Sequence, residues 1–262
     1  THKAWNEMIH RYFAGTLGLC ILAIAVWAVS KRSAEVPIKL PLVLLALVSF
    51  QALLGMWTVT LNLLPVVVMG HLLGGFSVLT CLFLLYLRLS RYRIGFVDMR
   101  IKRYATFAAL GIVVLVGQIA LGGWTSANYA ALACTEFPVC EGDWLSRLDM
   151  AGAYSVPEAV NYEYGAHDYA ERMTMHIVHR LGAVITFLYL GWLAISLYRR
   201  SASQHLRNAS VVLGLVLLAQ VGLGISNVVF SLPLQVAVLH NAVAACLLLV
   251  LVLITYTLYR KV

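Results

Sequence analysis

Apolar residues fall in seven long runs, at about 9–30, 40–62, 65–88, 104–124, 172–198, 208–230 and 234–259. Each run is long enough to cross the roughly 30 Å hydrocarbon core of a bilayer as a helix. Polar residues gather in short connectors, and in a longer segment from about 125 to 171 that has no clear periodicity. The pattern predicts an all-α integral membrane protein with seven visible transmembrane helices, and the outer segment reads as a partly ordered cap. Composition agrees: 61% of the 262 residues are hydrophobic and 11% charged, with a mean hydropathy of +0.86, values outside the range of ordinary soluble domains.

Charge adds orientation. The net +8 arises from basic residues sorted by connector: Lys31, Arg32 and Lys39; Arg88, Arg91, Arg93, Arg100, Lys102 and Arg103; Arg199, Arg200 and Arg207; then Arg260 and Lys261. These connectors alternate onto one side, which the positive-inside rule makes cytoplasmic, together with the C-terminus. The opposite side is acidic, with Glu136, Glu141, Asp143, Asp149, Glu158, Glu163, Asp168 and Glu171 in the long segment. The basic residues therefore act as topology signals, and the lipid bilayer, not nucleic acid, is the expected surroundings. With the first visible residues outside, the reading expects a further helix upstream. The architecture is then four helices plus four, a duplicated helix bundle with both halves in one orientation. Residues 1–103 form the N-terminal half and 104–262 the C-terminal half, with the outer segment 125–171 inside the latter.

The duplication is visible in the residues. Ile9-His10-Arg11-Tyr12 parallels Val178-His179-Arg180-Leu181, and Gln51-Ala52-Leu53-Leu54-Gly55 parallels Gln220-Val221-Gly222-Leu223-Gly224. His10 precedes His71 by 61 residues, and His179 precedes His240 by 61. Gln118-Ile119-Ala120-Leu121-Gly122 is a third copy of the glutamine segment. A neutral imidazole inside hydrocarbon is costly unless something uses it. His71 follows Pro65 by six residues and His240 follows Pro233 by seven, about 10 Å below the outer helix start at 1.5 Å per residue. Each half thus offers two facing nitrogen ligands near the outer leaflet, the arrangement that holds one haem iron. Spacing alone leaves iron, copper and zinc open, and a packing role is the competing reading. Room between apolar helices favours a macrocycle. Arg11 and Arg180 are expected either to meet haem propionates or to snorkel to the boundary.

The halves differ at one informative position. Glu7 stands three residues before His10, on the same helix face, where the second half has His176 before His179. A carboxylate beside one site alone suits acid–base work, against the simpler reading of a charge favoured by the helix dipole. His176 competes with His179 as a ligand, and the 61-residue register favours His179. Cys20, Cys81 and Cys246 lie in apolar runs as small hydrophobes. Cys134 and Cys140 flank five residues of the acidic segment, where an oxidising compartment permits a structural disulfide, with a redox-active thiol pair as the competing reading.

Glu7-Met8-Ile9-His10-Arg11, His71, His179-Arg180, His240 and the Leu121-Gly122-Gly123-Trp124-Thr125 run leading to Cys134 and Cys140 resemble the haem A synthase family over nearly the whole chain. Members have eight helices, so the chain resembles one lacking its first helix and the outer loop after it, which in many members carries another Cys pair. The resemblance implies an oxidoreductase that converts a ring methyl of haem O to the formyl group of haem A, through successive hydroxylations and loss of water. His179 and His240, with Arg180, would hold a resident haem b, and His10 and His71, with Arg11, the substrate haem O. Glu7 would handle protons or position water. It further implies delivery by a haem O synthase, a place in cytochrome oxidase assembly and an electron acceptor of unknown identity. The compact chain with no visible transit segment favours a bacterial inner membrane over a mitochondrial one, with the haem sites toward the outer face by their helix depth. Oligomeric state, a homo-oligomer included, stays open. The alternatives are a di-haem membrane cytochrome b that carries electrons through the same four histidines, and a haem carrier in which Glu7 is dispensable.

Overall fold

A computed structural model describes residues 2–31, 37–90 and 99–259, with side chains described from Trp5 and from Ile101 onward in the first and last stretches. Of the topology residues named above, Arg32, Arg91, Arg93, Arg260 and Lys261 lie outside the described residues, as does the side chain of Arg100.

Seven helices long and apolar enough to cross a membrane are present among the described residues. They are α1 (His2–Ser30), α2 (Lys39–Thr60), α3 (Pro65–Leu89), α5 (Tyr104–Ala127), α7 (Tyr169–Arg200), α8 (Gln204–Val229) and α9 (Leu234–Tyr259). Among the described residues two short α-helices, α4 (Met99–Lys102) before α5 and α6 (Met150–Ala153) in the outer segment, and a 3-10 turn at Leu145–Arg147 complete the set. The predicted runs hold within a few residues at most ends. Three helices start earlier than hydropathy suggests, α1, α7 and α8, the last at Gln204 instead of about 208. α1 takes in the polar turn that carries Glu7. α7 starts at Tyr169 because Asp168 caps it: the Asp168 side chain accepts from the Glu171 N–H, and the Glu171 carboxylate accepts from the Asp168 N–H in return.

Four helices close a ring, α5 on α7, α7 on α8, α8 on α9 and α9 on α5, so α7 and α9 stand at opposite corners. Its interior is a leucine-rich core, with Leu190, Leu193, Leu213, Leu247 and Leu251 fully buried. The first three helices repeat the same neighbour order, α1 on α2 and α2 on α3, around a smaller core of Ile21, Leu44, Val78 and Leu85. α3 joins the two groups by packing on α5 and α9. Large apolar side chains such as Val113, Leu188 and Leu215 are exposed on the outside, as a hydrocarbon solvent permits.

Two hairpin turns match in detail. Asn62 and Leu63 before α3, and Ser231 and Leu232 before α9, adopt positive φ between 48° and 64°. In each turn a backbone N–H reaches back five residues, Leu63 to the Thr58 carbonyl and Leu232 to the Asn227 carbonyl. Left-handed backbone is unfavourable for non-glycine residues, and these bonds to otherwise unpaired helix-end carbonyls help offset it. Each turn delivers a proline into the first turn of the next helix or just before it, Pro65 at the start of α3 and Pro233 ahead of α9.

The outer segment between α5 and α7 is built, not loose. Trp124 donates from its indole N–H to the Ala153 carbonyl at 2.8 Å. The Asp149 N–H donates to the Thr174 hydroxyl at 2.9 Å. The segment also reaches the other helix group, where the Tyr162 N–H donates to the Asn62 carbonyl and the Asn62 amide donates to the Val160 carbonyl, both at 3.0 Å.

Candidate functional site

The first histidine pair meets between α1 and α3. The rings of His10 and His71 lie 6.4 Å apart, centre to centre, with planes at 82°. Metal–imidazole bonds run about 2 Å and a ring nitrogen sits about 1 Å from its ring centre, so two imidazoles on one metal stand about 6 Å apart. The observed separation fits that requirement. The second pair, His179 on α7 and His240 on α9, comes from opposite corners of the closed ring, near enough to act on each other electrostatically.

Three of the four imidazoles sit against a glycine of the neighbouring helix. A Cβ added at Gly55 would lie 3.2 Å from Cε1 of His71, at Gly122 2.9 Å from Cε1 of His179, and at Gly224 3.2 Å from Cε1 of His240. Each glycine is thus a seat that any side chain would crowd. Each follows a glutamine by four residues, on the same helix face. The Gln118 amide nitrogen lies 3.1 Å from Nδ1 of His179, and the Gln220 amide nitrogen 3.2 Å from Nε2 of His240. His71 Nδ1 and His240 Nδ1 are buried without a hydrogen-bond partner, unusual for ring nitrogens in an apolar surround. Imidazole donors in facing pairs, orphaned ring nitrogens and glycine seats all fit a planar metallocofactor held between helices.

The glutamine partnership is not evident from the sequence alone. Its signal was present as the thrice-repeated Gln-x-x-x-Gly, but only the packing shows that each copy faces a histidine. His176, the competitor to His179, is buried beside Arg180 and has its Nδ1 unpartnered. The glycine seat and the glutamine belong to His179.

The charged residues are engaged within the protein. Arg11 donates to the Glu7 carboxylate one turn back on α1, and both are about half exposed. Arg180 donates to the carbonyls of Cys134 and Glu136, each at 2.8 Å, and its guanidinium lies over the Phe137 ring. Its Nε is buried with no partner. Cys134 and Cys140 are disulfide-bonded, with Cα atoms 4.9 Å apart, and both are buried. Glu141 completes this corner, accepting from the N–H groups of Thr135 and Glu136 and from the Thr135 hydroxyl. The Thr135 hydroxyl above all, with these backbone donors, holds the Glu141 carboxyl at about 2, below its ordinary 4.5. Cys134, Cys140 and Glu141 lie close enough for a shared ion, yet the sulfurs are committed to each other, so the cluster is a clip.

Comparison with known proteins bears on the same residues. A family model described as cytochrome oxidase assembly protein (COX15-CtaA) matches residues 1–252. Among curated relatives named Heme A synthase, that of Shewanella oneidensis is 52% identical over 261 residues, 99% of this chain and 78% of the relative. The Agrobacterium fabrum protein is 32% identical over 93% of this chain and 66% of its own length. The Halalkalibacterium halodurans protein is 26% identical over 97% of this chain and 80% of its own length. With a family match across nearly the whole length laid over paired helix histidines, the chain belongs to the COX15-CtaA family of cytochrome oxidase assembly proteins.

Proposed function

We propose that this protein is a haem A synthase, which oxidises a ring methyl of haem O to the formyl group of haem A. The observation that carries the reading is the His10–His71 pair, whose 6.4 Å ring separation suits one metal between α1 and α3, in a chain 52% identical to a named Heme A synthase. Residues 1–103 are read as the substrate half and 104–262 as the half that keeps a resident haem b. His10 and His71 would hold the iron of haem O, and His179 and His240 would hold that of haem b. A bound haem b supplies electron transfer, while the protein sets its position and potential.

The chain's own groups divide the remaining work. Glu7, one turn before His10, is the catalytic group that takes or gives a proton, or orients water, beside the substrate ring. Arg11 is placed to balance Glu7 and a propionate, and Arg180, one residue after His179, is the group assigned to a propionate of haem b. The glycine seats at Gly55, Gly122 and Gly224 leave room for the imidazoles to lie against the neighbouring helices. The outer segment covers the mouth of both sites on the non-cytoplasmic side, and the C-terminus faces the cytoplasm of a bacterial cell. Haem O synthase as donor, cytochrome oxidase assembly as destination and an electron acceptor complete the expected setting.

The test is pigment analysis of protein purified from membranes, with and without co-expressed haem O synthase. Haem b alone without the partner, joined by haem A and hydroxylated haem O with it, is the expected result. Haem b in both sites under both conditions would make the protein a di-haem electron carrier. His179→Ala and His240→Ala are each expected to lose the resident haem b, and His10→Ala to lose retained haem O while keeping haem b.

A further inference from the structure

The Gln-x-x-x-Gly segments occur on α2, α5 and α8, and each packs against the helix that bears a histidine, α3, α7 and α9. In two of the three the fit is reciprocal. The glycine of one helix seats the imidazole of the other, and a glycine three residues after that histidine leaves room for the glutamine. Gly74 lies against the Gln51 amide and Gly182 against the Gln118 amide, so closely that a Cβ at either would collide with it. In the third, position 243 is Val, and the Gln220 amide meets His240 directly at 3.2 Å. A packing residue needs no such matched room for a polar amide, whereas a residue that sets an imidazole does.

We propose that Gln118 is the positioning residue for His179, setting by the orientation of its amide which ring nitrogen the imidazole presents to the iron of the resident haem. This rests on the reading of His179 as an iron ligand. An imidazole that binds metal through one nitrogen carries its proton on the other, and the partner of that second nitrogen selects the tautomer. The Gln118 amide N–H points at Nδ1 of His179, 3.1 Å away, and donates also to the His179 carbonyl at 3.0 Å. That setting makes Nδ1 an acceptor and keeps the proton on Nε2, so Nε2 is closed to a metal. The other amide atom, Oε1, is buried with no partner. A half-turn of the amide brings Oε1 to Nδ1, where it accepts the Nδ1 proton and leaves Nε2 with a free lone pair. Gln118 therefore has a resting setting anchored on the α7 backbone and a ligating setting anchored on the imidazole, with no change in net charge and no movement of either helix.

Two substitutions separate positioning from packing. Gln118→Glu offers only acceptors, so it fixes the ligating setting and strengthens the bond from Nδ1. Gln118→Leu offers neither donor nor acceptor. With haem content read from pyridine haemochrome spectra and potential from redox titration, Gln118→Glu should retain haem b with the ferric form favoured about tenfold, about 59 mV more negative for one electron. Gln118→Leu should retain several-fold less haem b, and what remains should shift to a more positive potential. Wild-type potential in both variants overturns the proposal and leaves His179 as ligand. If the Glu variant fails to accumulate, Gln118→Leu decides alone, since wild-type content and potential there also overturn it. A six-coordinate haem b spectrum surviving in His179→Ala instead refutes the ligand reading beneath it.

Discussion

The Arg180 guanidinium donates to the carbonyl oxygen of Cys134 at 2.8 Å, so the residue that follows the proposed ligand His179 is tied to one end of the disulfide loop. Opening the Cys134–Cys140 bond lengthens the leash on that carbonyl without touching a histidine. Closing so short a loop is worth about 2 kcal/mol. Cys134→Ser is expected to lower the melting temperature of the purified protein while formyl production continues. Complete loss of turnover in a folded, haem-loaded variant would contradict a purely structural clip.

Glu141 makes the same corner sensitive to acid. Its carboxyl is held at about 2 against an ordinary 4.5, so the ionised form stabilises the fold. That contribution is complete above about pH 4.5 and fades as pH falls toward 2. Melting in detergent from pH 6 to pH 3 should show a steeper acid decline in the wild type than in Glu141→Gln. Parallel curves would mean that the hydrogen bonds to Thr135 and Glu136 stabilise nothing.

The glycine seats give a paired test. Gly122→Ala places a Cβ 2.9 Å from Cε1 of His179, whereas Gly117→Ala, on the same helix, meets nothing within 4 Å. The first should bind several-fold less haem b per protein and the second as much as the wild type. Equal haem content in the two would show that His179 tolerates displacement and that the seat is incidental.

Glu7→Gln keeps the size of the side chain and removes its charge and basicity. Haem b content should be unchanged, and conversion of haem O should fall on the order of 100-fold or more, the usual scale for a lost proton-handling group. Normal haem A in extracted pigment would remove Glu7 from the chemistry. Because Arg11 pairs with Glu7, Arg11→Gln removes the same ion pair together with the proposed propionate contact, so a smaller loss of conversion there than in Glu7→Gln assigns the difference to the carboxylate.

Hydropathy made the helices readable because a membrane span must satisfy every backbone group internally and carry apolar side chains over its whole length. It failed where polar capping decides the matter. Asp168 and Glu171 start α7 in water, and Glu7 lies on a helical turn too polar to register as a span. The histidines were legible because an imidazole in an apolar run stands out. Gln118 did not stand out, since an amide in a membrane helix reads as tolerated packing until its partner across the helix pair is known. For Arg180 the sequence leaves a propionate contact and snorkelling both open, and only the three-dimensional path of residues 134–139 shows its backbone partners, contacts 41 to 46 residues apart in the chain.

The two bonds between Asn62 and the 160–162 stretch fasten a strap. Its cloth is spun from the sequence between α5 and α7, and its buckle is a turn of the other helix group. A protease that cut beside Val160, which is 92% exposed, would leave every membrane helix whole and still cut through one of the ties between the two groups on that face. On the proposed two-site reading, the thread outside the bilayer and the packing of α3 on α5 and α9 would together keep one histidine pair aligned with the other, and nicked protein should still bind at each site with less concerted turnover.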